Sequence, residues 1–484
     1  MILDEIEYIG KIKHGKKHGK GKVKYSNISS FEGNWKNGEK NGDGEYSLTL
    51  DQFFILGGDN EKDISYQSND FYSLQYINDK FIKNDLCKML EGKCLFGIEF
   101  FLHYIYIFGG FNGNKSIDDI DRYNFFTNEW ENVASLSERR SGCFTVTDTD
   151  NYKIYIIGGT QKGDILTLIE EYDILTNSCS NFINSKSKRT CGGAIYYENK
   201  IYMYGGLKYT KDNLYLEILD LKTKEIEMKE NIMLNIMGAA SCFAIMEDKP
   251  CIFIACGENE DKEYTNEFFY YDIENEKICD LPQPLHKRKY SSLVKYKENL
   301  YLIGGFDGKK IVSNIEIFSL TEKIWKVEKN KIIKKCGSGI IAVENKNFVL
   351  KGKWKNNHLQ GKGIIYENNC CVSTGNYKKN IKESFFFEMN NEILYDNGII
   401  ISEDELKIRQ TLKKKKIPEH FKCPISHELM RNPVVTSCGT TYEKENIKKW
   451  LKENKIDPLT RQTINDTLIS NLILKTLIQD FIEN

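Results

Sequence analysis

YIIGG, at residues 155–159, is an apolar run that ends in two consecutive glycines, and the same arrangement recurs through the middle of the chain. The glycine pairs are separated by 52, 49, 47 and 99 residues, and the last gap is a double step. The copies are FFILGG (53–58), YIFGG (106–110), YIIGG (155–159), YMYGG (202–206), FIACG (253–257) and YLIGG (301–305). A strand that ends where no side chain fits, repeated at this spacing, predicts a series of small similar sheets.

Two further positions keep the same register. An aromatic residue or leucine follows each glycine pair from the second copy onward, and a second, often apolar position follows seven residues later. The first set is Tyr123, Tyr172, Leu219, Tyr271 and Phe318, and the second is Trp130, Cys179, Ile226, Ile278 and Trp325. This register resembles the Kelch repeat over roughly residues 50–347. The resemblance implies a six-bladed β-propeller, and residues 337–352 look like a further repeat that closes the ring.

A shorter repeat flanks the longer one. Tyr8, Gly10, Gly15, Gly19 and Gly21 return 23 residues later as Phe31, Gly33, Gly38, Gly42 and Gly44, and a related pattern returns at residues 352–363, with a decayed copy near Gly375. This pattern of an aromatic residue and glycines resembles the MORN repeat, a β-hairpin unit. Because a closed propeller brings its first and last strands together, we expect both flanks to join in one sheet into which the propeller is inserted.

Composition limits the classes of function. The 484 residues carry a net charge of −1, with 28% charged and 40% hydrophobic residues, which gives no overall reason to expect a nucleic-acid partner. The 14 cysteines include no CxxC pair, the first residues are acidic, and no apolar run reaches the ~18 residues of a membrane span. These features favour reduced thiols and a cytoplasmic protein, with the nucleus as an alternative.

The last 68 residues carry an ordered set of short motifs. They are CPIS (423–426), ELM (428–430), NPV (432–434), CGTTY (438–442), IKKWL (447–451), DPLTRQ (457–462) and SNLILKTLI (470–478). Ile447, Trp450 and Leu451 have the i, i+3, i+4 spacing of a short amphipathic helix. In this order the motifs resemble the U-box, a small α+β domain similar to RING domains but without zinc. The resemblance covers residues 417–484 and implies no metal and no cofactor.

The U-box resemblance also implies partners and site residues. Ile425, His427, Trp450 and Pro458 would bind a ubiquitin-conjugating enzyme, and Arg461 would position the charged carrier and its ubiquitin for attack. Core packing is the alternative for Ile425 and Trp450, and an internal salt bridge is the alternative for Arg461. A zinc site built from Cys423, Cys438, His420 and His427 is the weaker alternative, since one ligand set cannot make the two sites of a RING domain.

Four arginines precede first strands of successive blades and suggest a substrate site. Arg139, Arg140, Arg189 and Arg288 could bind an acidic segment of a protein, although the same residues could be structural. The predicted order of domains is MORN repeats (1–49), Kelch propeller (50–347), MORN-like repeats (348–385), a charged connector (386–416) and a U-box (417–484).

This mainly β architecture predicts a ubiquitin-protein ligase whose propeller holds an unknown protein substrate. The alternative is a non-catalytic Kelch/MORN scaffold with an inactive U-box. A structural role of the MORN repeats is favoured over contact with a membrane, and homodimerisation stays open.

Overall fold

The computed structural model describes most of the chain. The described residues are 7–25, 28–59, 67–77, 80–206, 215–328, 333–368, 370–378, 381–384, 386–388, 391–396, 399–401, 418–426, 430, 433–463, 468–471 and 474. The chain divides into two compact units, Met1–Glu383 and Ser384–Asn484.

The first unit begins with two antiparallel hairpins. Their strands are β1 (Glu7–Lys13), β2 (Lys16–Lys24), β3 (Ser29–Lys36) and β4 (Glu39–Leu56). The first three strands are of ordinary length, but β4 has 18 residues and continues beyond its hairpin. Its last third, DQFFIL, includes the apolar run that ends at the first glycine pair. One strand therefore serves both the hairpins and the propeller.

The propeller follows as a series of short antiparallel strands. They are β5 (Phe71–Ile77), β6 (Lys80–Asp85), β7 (Gly97–Phe101), β8 (Tyr104–Phe108), β9 (Asp119–Asn124), β10 (Glu129–Ser135), β11 (Phe144–Asp148), β12 (Lys153–Ile157), β13 (Thr160–Gln161), β14 (Asp164–Ile165), β15 (Leu168–Asp173), β16 (Ser178–Asn184), β17 (Gly193–Tyr197), β18 (Lys200–Tyr204), β19 (Tyr215–Asp220), β20 (Ile226–Met233), β21 (Ala240–Met246), β22 (Lys249–Glu258), β23 (Tyr264–Asp272), β24 (Lys277–Asp280), β25 (Ser292–Tyr296), β26 (Asn299–Ile303), β27 (Ile315–Ser319) and β28 (Trp325–Glu328). Five separate four-stranded blades result, and their first strands are β7, β11, β17, β21 and β25.

The sixth predicted blade is not a separate sheet. After the fifth blade come β29 (Gly339–Lys355), β30 (His358–Glu367), β31 (Cys370–Lys378) and β32 (Ile381–Ser384). Residues Gly339–Val343 of β29 pair with Leu56–Gln52 of β4, and β5 and β6 complete four strands. These four strands belong to a ten-stranded sheet that also contains the hairpins. The propeller thus has five blades that are separate sheets and a sixth that is part of the hairpin sheet.

The hairpins on both flanks form one sheet, as the common glycine register predicts. Beyond a register shift, Lys346–Trp354 of β29 pair with Leu50–Gly42 of β4, and the strand order runs from β1 through β4 and β29 to β32. Glycines lie opposite one another in every neighbouring pair of strands from β1 to β31. The row is Gly10, Gly21, Gly33, Gly44, Gly352, Gly363 and Gly375.

Aromatic rings explain why this row consists of glycine. A Cβ atom on Gly33 would lie 2.6 Å from the Cα of Gly44 and 2.8 Å from the ring of Phe31. The indole of Trp35 donates a hydrogen bond to the carbonyl of Gly21 at 3.0 Å. The rings therefore lie directly over the backbone, and a side chain at these positions would displace them.

A ring of backbone hydrogen bonds around the propeller axis links the blades. One residue just before the first strand of each blade donates its N–H to the carbonyl of the equivalent residue in the preceding blade, at 2.7–3.0 Å. All six have positive φ, between 52° and 65°. In order they are Leu95, Gly142, Cys191, Gly238, Tyr290 and Gly337. The last bond, from Leu95 to Gly337, closes a ring of six members.

Buried ion pairs hold neighbouring elements of the propeller together. Arg140 pairs with Glu170, Arg189 with Glu217 at 3.0 Å, and Arg288 with Glu316, and all six side chains have no exposed surface. Lys93 and Asp121 form the corresponding buried pair at 2.7 Å, and Lys335 pairs with Asp70 at 3.0 Å nearer the surface. Each of these cations lies two residues before one of the six residues of the axial ring, where one blade meets the next; we call this the cation position of the junction. At the remaining junction the cation position is occupied by Ile236, which is buried and uncharged.

This burial corrects part of the predicted substrate site. Arg140, Arg189 and Arg288 have no exposed guanidinium surface, so they cannot present charge to a bound segment, and the structural alternative applies to them. Arg139 differs because its side chain is 48% exposed, with a guanidinium nitrogen 3.3 Å from Asp118. Substrate contact by Arg139 stays a prediction.

The second unit contains the C-terminal domain and a small sheet before it. Three short strands, β33 (Phe386–Glu388), β34 (Asn391–Asp396) and β35 (Ile399–Ile401), occupy the start of the predicted connector. The rest of that connector lies outside the described residues. A 3-10 turn at Glu419–Phe421 precedes β36 (Pro433–Val435), β37 (Thr441–Glu443), α1 (Lys444–Glu453) and β38 (Ile469–Ser470). In the described parts of the chain, no helix has the length and apolarity required to cross a membrane.

Arg140→Met is expected to lower the free energy of unfolding of the propeller by about 3–5 kcal/mol, because it leaves the buried carboxylate of Glu170 without its charged partner. Arg139→Met is the matched control, one residue away. It should cost less than about 1 kcal/mol, because its pair with Asp118 is exposed. Urea unfolding of both variants measures the difference in free energy of unfolding. Equal losses of stability would contradict the structural role of the Arg140–Glu170 pair.

Candidate functional site

The candidate site lies in the C-terminal domain, on two loops and the helix α1. The first loop, Cys423–Ser426, is held in place by a buried thiol. The sulfur of Cys423 accepts hydrogen bonds from the backbone N–H of Glu443 at 3.3 Å and from the amide of Asn446 at 3.7 Å. The same amide donates to the hydroxyl of Ser426 at 3.0 Å. Burial opposes ionisation of the thiol, but these donors outweigh it and hold the pKa of Cys423 below its usual value. The loop that carries Ile425 is thereby attached to α1.

The second site loop, Asp457–Gln462, is organised by a buried carboxylate. Asp457 accepts hydrogen bonds from the hydroxyls of Tyr442 at 2.7 Å and Thr436 at 3.0 Å, and from the backbone N–H groups of Leu459 and Thr460, both at 3.0 Å. Burial alone would raise the pKa of Asp457, but the four donors favour the carboxylate and keep it below the ordinary value. The loop backbone is therefore fixed to the sheet beneath it.

The helix α1 supplies the third side of the site. Ile447 and Leu451 are buried in the small core, whereas Trp450 is half-buried against it. The indole N–H of Trp450 donates to the carbonyl of Ile456 at 2.8 Å, just before the second loop. The predicted amphipathic spacing thus places one face of the helix in the core and leaves Trp450 at its edge.

The predicted docking residues lie on these three elements. Ile425 and Pro458 are half-buried, like Trp450, and Ile425 and Trp450 pack against the same core. Partial burial is compatible with both the docking role and the core-packing alternative, so the docking role stays a prediction. His427 lies outside the described residues.

Arg461 has a left-handed backbone conformation, as do 24 other non-glycine residues in the described part of the chain. Its φ is 59°, its N–H donates to the carbonyl of Asp457 at 3.0 Å, and its side chain is exposed. The described residues offer it no ion pair, so the internal salt bridge finds no support among them.

Sequence reasoning missed two features of this site. Leu459 is 59% exposed between Pro458 and Thr460, although it is a large apolar residue. Asp457 and Tyr442 are fully buried anchors of the loop, whereas the sequence was interpreted only as a turn at Asp-Pro. An aspartate that begins a turn commonly accepts backbone N–H groups a few residues later, and this signal could have identified the anchor. Of the potential metal ligands that the structure describes, no three gather in a cluster able to hold a metal ion.

Comparison with protein families agrees with this geometry at the C-terminus. Residues 417–484 match the model of the U-box domain. The chain carries a U-box. Residues 92–137, 141–182 and 287–331 match the Kelch motif, and residues 8–27, 31–49 and 351–371 match the MORN repeat.

Known proteins are similar to short parts of this chain. The probable bifunctional E2/E3 enzyme R795 of Acanthamoeba polyphaga mimivirus is 34% identical over 113 residues, which is 22% of this chain and 8% of that protein. U-box domain-containing protein 12 of Arabidopsis thaliana is 46% identical over 69 residues, 14% of this chain and 11% of that protein. The E3 ubiquitin-protein ligase PUB22 of Arabidopsis thaliana is 46% identical over 68 residues, 13% of this chain and 16% of that protein. The matches span only a small part of each relative.

Asp457→Asn is expected to destabilise the U-box by about 1–3 kcal/mol, because the amide cannot accept from all four donors. The folded pKa of Asp457 lies below the unfolded value of about 3.9. The contribution of Asp457 to the stability of the U-box is therefore complete above the unfolded pKa. It is lost as the pH falls through the folded pKa. The fluorine resonance of 5-fluorotryptophan at position 450 can follow U-box unfolding in the full chain. The exposed Ser437→Ala is the control, and an acid-labile contribution that persists in Asp457→Asn would contradict this account.

Proposed function

We propose that this protein is a ubiquitin-protein ligase of the U-box type. Its U-box binds a conjugating enzyme that carries ubiquitin as a thioester, and ubiquitin passes to lysines of a protein held by the propeller. The support is the match of the C-terminal residues to the U-box, together with relatives whose names describe E3 enzymes. No covalent intermediate forms on this chain, because the thioester stays on the carrier.

The exposed side chain of Arg461, on a loop that hydrogen bonds fix, is the observation that carries the proposal. A positive φ costs about 1–3 kcal/mol for a residue with a side chain, so an arginine there requires compensation from the surrounding loop. The hydrogen bonds of Asp457 supply that compensation by fixing the loop backbone. The guanidinium is left exposed, with its five donors available to a partner. Such a side chain can bridge carrier and ubiquitin and hold the thioester ready for attack.

The surface around Arg461 supplies docking rather than chemistry. Partly exposed apolar atoms lie on three elements that hydrogen bonds fix, at Ile425, Trp450 and Pro458. Leu459 adds an apolar side chain that is 59% exposed. Fixed apolar anchors with a polar rim are typical of the energetically dominant part of a protein interface. His427 stays in this proposal as a sequence-based prediction.

The alternative function is a scaffold that binds proteins without transferring ubiquitin. The hairpin sheet and the propeller form one unit by themselves, which is compatible with a purely structural role. The names of similar proteins describe E3 enzymes, which favours the ligase.

Self-ubiquitination with activating enzyme, a panel of conjugating enzymes, ubiquitin and ATP tests the proposal. The full chain is expected to form ubiquitin chains with at least one carrier. A zinc-selective chelator, with Mg²⁺ kept in excess for the activating enzyme, is expected to have no effect. Ser437→Ala, an exposed change in another turn, should retain wild-type rates. No chains with any carrier, from protein shown to be folded, would leave the scaffold alternative.

Two variants separate docking from activation. Ile425→Ala is expected to weaken carrier binding by at least about tenfold, because it truncates an apolar anchor. Arg461→Ala should leave carrier binding within about twofold but slow discharge of the thioester to free lysine by at least about tenfold, a loss of about 1.4 kcal/mol. Binding is measured by titration with the uncharged carrier, and discharge is measured at saturating ligase. Equal effects of the two variants on binding would contradict the separate role of Arg461.

A further inference from the structure

Two side chains of α1 hold the two loops of the candidate site. The amide of Asn446 donates hydrogen bonds to the hydroxyl of Ser426 at 3.0 Å and to the thiol of Cys423 at 3.7 Å, at the two ends of the first loop. One turn later, the indole N–H of Trp450 donates to the carbonyl of Ile456, just before the second loop. Residues four apart lie on the same face of a helix, so one face of α1 holds both loops.

The thiol of Cys423 organises the rest of the first loop. It accepts the backbone N–H of Glu443, which immediately precedes α1, at 3.3 Å. The backbone N–H groups of Ile425 and Ser426 are among the donors that hold the pKa of the thiol below its usual value. Ile425 therefore lies between two residues that the helix holds, and its half-buried side chain packs against the small core.

Asn446 contacts the first loop without belonging to the apolar surface. Its side chain is half-buried, and among the residues that the structure describes its amide donates only to that loop. Alanine has a higher helix propensity than asparagine, so truncation of Asn446 removes these two contacts without weakening α1. An effect of the truncation on partner binding must therefore pass through the loop.

From these contacts we propose that Asn446 is a positioning residue, which holds the first loop so that Ile425 and Pro458 contact one partner together. The assignment of that partner as a conjugating enzyme rests on the proposed function. Anchors on two separate loops bind one surface well only when their separation is already fixed, because ordering them on binding costs conformational entropy. The amide of Asn446 acts through Ile425 and makes no contact with the partner itself.

Titration of the full chain with an uncharged conjugating enzyme tests the proposal. Asn446→Ala is expected to weaken binding by about fivefold or more, because Ile425 loses its fixed position. Ser426→Ala removes the acceptor of the same hydrogen bond and should weaken binding by at least about twofold. Asn454→Ala is the matched control, since this amide lies on the same helix but donates to the carbonyl of Trp450. It should bind within about twofold of the wild type.

A double-mutant cycle separates positioning from a general loss of stability. In the Ile425→Ala background the side chain to be positioned is absent, so adding Asn446→Ala should weaken binding by less than about a further twofold. At saturating ligase, Asn446→Ala should discharge the thioester within about twofold of the wild-type rate, because the second loop keeps its hydrogen bonds to Asp457. Additive losses in the cycle, or wild-type affinity in both Asn446→Ala and Ser426→Ala, overturn the proposal.

A readout without any carrier distinguishes this proposal from the ligase activity. The full chain is labelled at the δ1-methyl groups of isoleucine, and the resonance of Ile425 is identified by its absence from Ile425→Val. This resonance is expected to shift or broaden in Asn446→Ala and Ser426→Ala and to stay unchanged in Asn454→Ala. An unchanged resonance in the first two variants overturns the positioning role, even where carrier binds. A changed resonance in a protein that binds no carrier supports the positioning of Ile425 and refutes the ligase.

Discussion

The pairing of β4 with β29 is the constraint on which the first unit depends. Each strand belongs to the propeller at one end and to the hairpin sheet at the other. Because all five free-standing blades lie between these strands in sequence, their pairing must overcome the closure entropy of a very long loop. In return it completes the shared blade, removes two open edges from the ring and fuses the hairpins of both flanks. Insertion of the propeller is therefore a direct consequence of one ladder of hydrogen bonds.

The axis and the junctions then fix how the blades meet. Six residues at positive φ pass hydrogen bonds around the axis, and three of them, Leu95, Cys191 and Tyr290, carry side chains in a conformation that favours glycine. Their glycine neighbours leave the space, since a Cβ atom on Gly238 would lie 2.9 Å from the ring of Tyr290. The buried ion pairs contribute alignment more than net stability, because desolvation offsets much of their attraction. Ile236 shows that one junction manages without a charge.

Sequence periodicity could predict the parts of the fold that repeat. The two glycine registers indicated the propeller, the hairpins and their common sheet, because a backbone that approaches another closely accepts only glycine. The sequence left open whether Arg140, Arg189 and Arg288 bind a substrate or are structural, because a cation alone does not reveal its partner. Glu170, Glu217 and Glu316 follow the arginines at nearly constant spacing, and this signal could have indicated the pairs. The positive φ of Arg461 and the exposure of Leu285 could not be predicted, because they depend on local hydrogen bonds and on which neighbour fills the core.

The U-box and the propeller use the same physical device to present side chains. In each, a buried carboxylate accepts backbone N–H groups of a surface loop: Asp457 does so for Leu459 and Thr460, and Glu316 does so for Leu285 and His286. A carboxylate removed from water requires several donors, so its burial forces the loop into one shape. That shape leaves an apolar residue outside at both places, with a cationic side chain nearby. Burial of one charge thus determines which side chains the surface presents.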